Sequence, residues 1–178
     1  MRKIFGVIAL FSLFYRVYSQ PQVTKEFTKS LVTEDFSNLT GKWQEMSTSE
    51  NLITGSNPGY EVWRKNRKSG FFVFPETKKE LQFFEINVSF RFSAKGNKSQ
   101  SAGVILQIPE KNNGGVVVEV NRKGQFRVLR AVNKNRSPTS GGETGWIKTS
   151  GLVRQDNNTI LIRTYDKIYD LYLNGKYI

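Results

Sequence analysis

Apolar and polar residues alternate along much of this chain, most sharply between Leu81 and Phe92. There Phe84, Ile86, Val88, Phe90 and Phe92 interleave with Glu85, Asn87, Ser89 and Arg91. Successive side chains of a strand point to opposite faces. A period of two therefore predicts a half-buried antiparallel strand, apolar toward a core and polar away from it. Val104, Leu106 and Ile108 repeat the pattern, as do Val116, Val118 and Val120, then Phe126 and Val128. The stretch NNTILIRTYDKIYDLYLNGKYI predicts a strand through Tyr165, a tight turn at Asp166-Lys167 and another strand from Ile168 to Leu173.

The turns between these runs are written in Gly, Asn and Ser. In NRKGQ (Asn121 to Gln125) Gly124 suits the left-handed position of a bulged hairpin loop. Lys134 to Gly145 reads as one long polar loop. No stretch of the mature region has a convincing helical period, and strands recur at spacings of about ten residues. The fold class expected is all-β, an antiparallel β-sandwich or jelly roll. Asn174-Gly175 is the strongest short hairpin signal, yet only Lys176, Tyr177 and Ile178 follow it. The sandwich is thus expected to lack its closing C-terminal strand. Its last hairpin would be loosely held, or completed by a continuation of the chain or by a partner chain.

At the other end, Arg2 and Lys3 precede a mostly apolar run from Ile4 to Tyr15, too short to span a bilayer comfortably. Val17-Tyr18-Ser19 then supplies a small residue before Gln20-Pro21. Residues 1–19 read as a cleaved secretory signal, 20–31 as a leader, and 32–178 as one domain. The protein is expected to be exported: periplasmic, cell-surface or secreted. Membrane contact is expected only through the signal, before cleavage. With no Cys, stability in an oxidising compartment must come from packing.

The formal net charge is +12, and Arg2, Lys3 and Arg16 fall within the signal. Such a balance could attract acidic polysaccharide, anionic lipid or nucleic acid. The cations, however, are scattered among turns: Lys65, Arg67 and Lys68; Arg122 and Lys123; Lys134 and Arg136. Scattered turn cations read as solubility features. A nucleic-acid surface would interleave them with exposed aromatics, and in YEVWRKNRKSGFFVF the rings read as strand residues instead. Nucleic acid is not an expected partner.

The chain has no His and no Cys, which removes the Ser-His-Asp triad, thiol nucleophiles and ordinary zinc sites. Glu110, Glu143 and Asp156 stand alone in loops, so no side-chain calcium site and no cofactor are expected. A glycosidase needs two carboxylates facing each other, and Glu85 has Asn87 two residues on. Glu85, Gln107, Glu119 and Arg127, with Asp170 and Tyr172, are read as lying on one non-core face. If that face curves inward, they would line a groove of hydrogen-bonding groups suited to a sugar. Trp146 and Trp63 are the rings that could stack on a pyranose, although each also suits a core or edge anchor.

The order of motifs resembles that of concanavalin A-like, laminin-G-like domains of exported bacterial proteins. The motifs are EDFSNLTGKWQE, NPGYEVWRKNRKSGFFVF, FFEINVSFRFSAKGNKSQSAGVILQI, GGVVVEVNRKGQFRVLR, WIKTS and the closing NNTILIRTYDKIYDLYLNGKYI. The resemblance implies a jelly roll whose members range from carbohydrate-binding modules to enzymes, including a branch acting on 3-keto-disaccharides. Within that branch Glu85 matches a mid-strand Glu and Glu119 matches a second one. Gln107 stands in place of an Arg, and Val120-Asn121 in place of a Gln-containing pair. Those departures resemble a non-catalytic branch. The function expected is an exported lectin-like module binding glycan through one sheet face. The alternatives are a glycan-acting hydrolase or lyase, or a protein-interaction domain of a larger surface protein.

Overall fold

The computed structural model describes residues 26–30, 36, 43, 45–55, 59–64, 83–94, 96–106, 115–132, 135–139, 141–165 and 168–178. The expected signal, the Asp166-Lys167 turn, Gln107, Ile108 and the cations Lys65, Arg67, Lys68 and Lys134 lie outside the described residues. Within them every regular element is a strand, and every pairing is antiparallel.

Strands β1 (Met46–Ser47), β2 (Asn51–Gly55) and β3 (Tyr60–Arg64) form a three-stranded sheet in that order. Ile53 at its centre is buried, and the rings of Phe36, Trp43 and Tyr60 cluster with centroids 5.1 to 5.6 Å apart.

The other two sheets share a core. One runs β12 (Lys176–Tyr177), β11 (Ile168–Leu173), β10 (Asn158–Tyr165), β4 (Phe83–Phe90). The other runs β5 (Ser101–Leu106), β6 (Gly115–Asn121), β7 (Gln125–Val132), β8 (Asn135–Pro138), with β9 (Ile147–Lys148) also on β7. Ile160, Ile162 and Leu173 from the first sheet meet Leu106, Val118 and Val120 from the second. Phe84, Ile86, Phe90, Val104, Val116, Phe126 and Val128 pack against them, so the alternating positions read from the sequence are the inward ones. This is a β-sandwich, two sheets held by the apolar faces that the pleat turns toward each other.

The turns follow their residues. Asn121 pairs with Gln125 around a three-residue loop in which Gly124 takes φ 75°. Asn174 and Gly175 take φ 51° and 80°, the mirror-image turn whose twist matches a two-residue hairpin. Beyond that turn β12 pairs with Tyr172 and Leu173, and the Ile178 amide donates to the Leu171 carbonyl (2.9 Å).

The long polar loop expected over Lys134 to Gly145 is corrected in part. Asn135–Pro138 forms β8, pairing with Leu129–Val132. All four residues are exposed, so the strand leaves no apolar period to read; its backbone pairing is joined by the Arg136 side chain, which reaches Glu119.

Candidate functional site

The outer face of the β4–β10–β11 sheet is built by the same alternation that fills the core. With Phe84, Ile86 and Phe90 turned inward, Phe83, Glu85, Asn87 and Ser89 turn outward. Register sets these against neighbours in rows. Phe83 opposes Tyr165, which opposes Ile168; Glu85 opposes Arg163, which opposes Asp170. Leu161 opposes both Asn87 and Tyr172, and Tyr172 opposes Tyr177.

The first row is apolar and in contact with solvent: Phe83, Tyr165 and Ile168 leave 43%, 43% and 44% of their surfaces exposed. The Phe83 and Tyr165 rings lie 4.8 Å apart at 33°. The second row is charged. Arg163 Nε donates to Glu85 Oε2 at 2.8 Å, with about a third of each side chain exposed. That hydrogen bond, outweighing partial desolvation, raises the Arg163 pKa above its ordinary value. The guanidinium carbon sits 5.7 Å from the centre of the Tyr172 ring, which packs edge-on against Tyr177. The Tyr177 hydroxyl donates to Asp170 Oδ1 at 3.5 Å, and Asp170 is fully buried. An apolar shelf thus lies one residue pair away from a fixed ion pair and a phenol.

Three of the residues expected to bind ligand meet on the other sheet. Glu119 and Arg127 oppose each other on β6 and β7. Arg127 Nε donates to Glu119 Oε2 at 2.7 Å, its Nη2 pairs with the same oxygen, and its Nη1 donates to the Thr144 carbonyl at 3.4 Å. The guanidinium lies 4.2 Å from the centre of the Trp146 ring, and Arg136 Nη1 reaches Glu119 Oε1 at 3.8 Å. The Glu119 side chain is only 12% exposed. This cluster fastens the 141–148 segment over the sheet, with the guanidinium engaged on both edges and one face.

Glu85, Asp170 and Tyr172 therefore do not share a face with Glu119 and Arg127. The two groups occupy outer faces of different sheets, which point away from each other across the common core. Alternation distinguishes inward from outward but not one sheet from the other. Trp63, on β3, is 46% exposed and belongs to neither group. Arg163, Phe83 and Tyr165 were not singled out from the sequence. The signal for two of them was present in TILIRTY, where Arg163 and Tyr165 alternate with the inward Ile160, Ile162 and Thr164, and Phe83 directly precedes the inward Phe84. Among the described residues no three acidic side chains converge on a point that could hold a cation.

Comparison with protein-family models, with curated proteins and with solved structures found no match.

Proposed function

We propose that this chain is an exported, lectin-like binding module of the concanavalin A-like jelly-roll kind, taking glycan on the outer face of β4, β10 and β11 without catalysis. The observation that carries this reading is the juxtaposition of the Phe83–Tyr165–Ile168 shelf with the Glu85–Arg163 pair and Tyr172. A pyranose has an apolar face that stacks on an aromatic ring and a rim of hydroxyls that need donors and acceptors. Both are present side by side, and the polar part is already oriented by its own ion pair. The non-catalytic half of the reading is supported by the state of the acids. Glu85 is engaged by Arg163, and Asp170, the other carboxylate of that row, is fully buried. No second exposed carboxylate faces Glu85 among the described residues of this sheet face.

The test is a glycan array with the purified protein, followed by titration of the best ligand. Tyr165→Ala and Arg163→Ala should each weaken binding by about tenfold, a loss of roughly 1.4 kcal/mol, with the melting temperature nearly unchanged. Absence of binding to any glycan by the folded protein would reject the module. Turnover of an oligosaccharide that disappears in Glu85→Gln would replace it with the hydrolase.

A further inference from the structure

Cations that look scattered along the sequence are gathered by the topology. β4 ends at Phe90, paired with Asn158 at the start of β10, and the Asn174-Gly175 turn lies beside Thr159. On the facing sheet Ser101, Asn121, Gln125 and Lys148 come level through successive pairings. The two sets of loops form the same end of the sandwich, because Arg122 Nη1 donates to the carbonyls of Ser93 (2.9 Å) and Gly96 (2.6 Å). That end carries Arg91, Lys98, Lys123, Lys148, Arg154 and Lys176, all exposed. Asp156 is the one acid among the described residues of these loops. The salt bridges of the described residues involve Arg127, Arg136 and Arg163, and none of these six.

The loops that carry this charge are cross-tied. The Arg122 amide donates to the Gln100 carbonyl at 3.1 Å. Thr149 directs both its amide and its hydroxyl to the Gly124 carbonyl, each at 2.9 Å. Asn174 Nδ2 donates to the Leu152 carbonyl at 2.6 Å. The loop backbones are thus fixed by the fold, and a repeating anion need order only the cationic side chains they carry.

We infer that this loop end is a second binding surface, which takes a linear acidic polysaccharide carrying repeated carboxylate or sulfate groups. It is separate from the shelf at Phe83 and Tyr165. Those residues sit at the opposite end of β4 and β10, roughly 24 Å away along an eight-residue strand. Polysaccharide is favoured over the other polyanions by what the end lacks. Among the described residues the exposed large apolar ones are Val62, Trp63, Phe83, Tyr165 and Ile168, and none is in these loops. Their described residues therefore offer no apolar wedge to a bilayer and no exposed ring to the bases of a single strand.

The experiment measures binding of the purified protein to alginate and dextran sulfate, with neutral dextran as the uncharged control and anionic phosphatidylglycerol vesicles as the lipid arm. Lys123→Gln/Lys148→Gln removes two charges from the loop end. Arg130→Gln/Arg136→Gln removes two exposed charges from the far end of β7 and from β8, so both variants carry the same net charge. The loop-end variant should bind an acidic polysaccharide about tenfold more weakly at moderate salt, as expected for two solvent-screened contacts. The control variant should stay within about twofold, and Tyr165→Ala should leave this binding intact. Equal losses in the two charge variants, no binding to either acidic polysaccharide, or binding to the vesicles as tight as to the polysaccharides would each overturn the inference.

Discussion

Asn158 has no exposed surface, and its amide is bonded at both ends. Its Oδ1 accepts from the Arg154 amide (2.7 Å) and from Asn174 Nδ2 (3.1 Å), while its Nδ2 donates to the Arg154 carbonyl (2.8 Å). Asn174 continues the chain of bonds, accepting from the Thr159 amide at 2.8 Å. A strand pattern reads Asn158 only as the polar start of β10. Its role depends on a loop four residues back and a turn sixteen residues on. Asn158→Ala would leave the Arg154 amide and carbonyl without these partners in a part-buried setting, and Asn174 Nδ2 without one of its two acceptors. An unpaired buried polar group costs about 1–3 kcal/mol, so the variant should lose about 2–3 kcal/mol in urea unfolding. An unchanged midpoint would mean that water replaces the side chain at no cost.

At the scale of elements, what the sequence disclosed depended on whether an element's side chains carry its pairing. β4 and β10 bury alternate residues, so burial imposed a period of two that could be read directly, whereas β6 buries Val117 beside Val118 and β7 buries the outward Leu129. β8 and β9 pair through backbone along β7 and left no such period. Turn chemistry was legible where it required a positive φ, at Gly124 and at Asn174-Gly175. Gly103 was not legible, because its constraint comes from a neighbouring strand. A Cβ there would lie 2.0 Å from the Val118 carbonyl oxygen and 2.9 Å from the Glu119 Cα, both backbone atoms. Since neither can swing aside, Gly103→Ala must push β5 off β6. Overpacking of this kind costs about 1–3 kcal/mol, and hydrogen exchange should show the loss first in β5 amides. Protection in β5 equal to the parent's would show that the strand pair accommodates the methyl group.

For the whole molecule, the sequence supplied inward and outward positions but not how two sheets share them. Hence Glu85 was grouped with Glu119 and Arg127, although the core lies between them. Lys123, read as one of the scattered turn cations, lies at the same end as five cations the sequence had not singled out. Both placements depend on long-range pairing, such as Glu85 with Arg163, seventy-eight residues apart. The same sharing of one core predicts how the molecule unfolds. Ile162, on β10, is fully buried where the two sheets meet, and there are no disulfides to hold either sheet alone. Trp146 reports on the other sheet, packed on Arg127. In a Trp43→Phe/Trp63→Phe background, Trp146 fluorescence should follow the state of the β5–β9 sheet during urea unfolding. Ile162→Ala removes methyl and methylene groups from the shared core and should cost about 2–5 kcal/mol. With a slope of about 1–3 kcal/mol per molar urea, the Trp146 midpoint should fall by on the order of 1–2 M. Global exchange of β10 amides should weaken by a matching free energy, because one cooperative core exposes both sheets together. A Trp146 midpoint that stays fixed while β10 amides lose protection would show instead that the two sheets unfold separately.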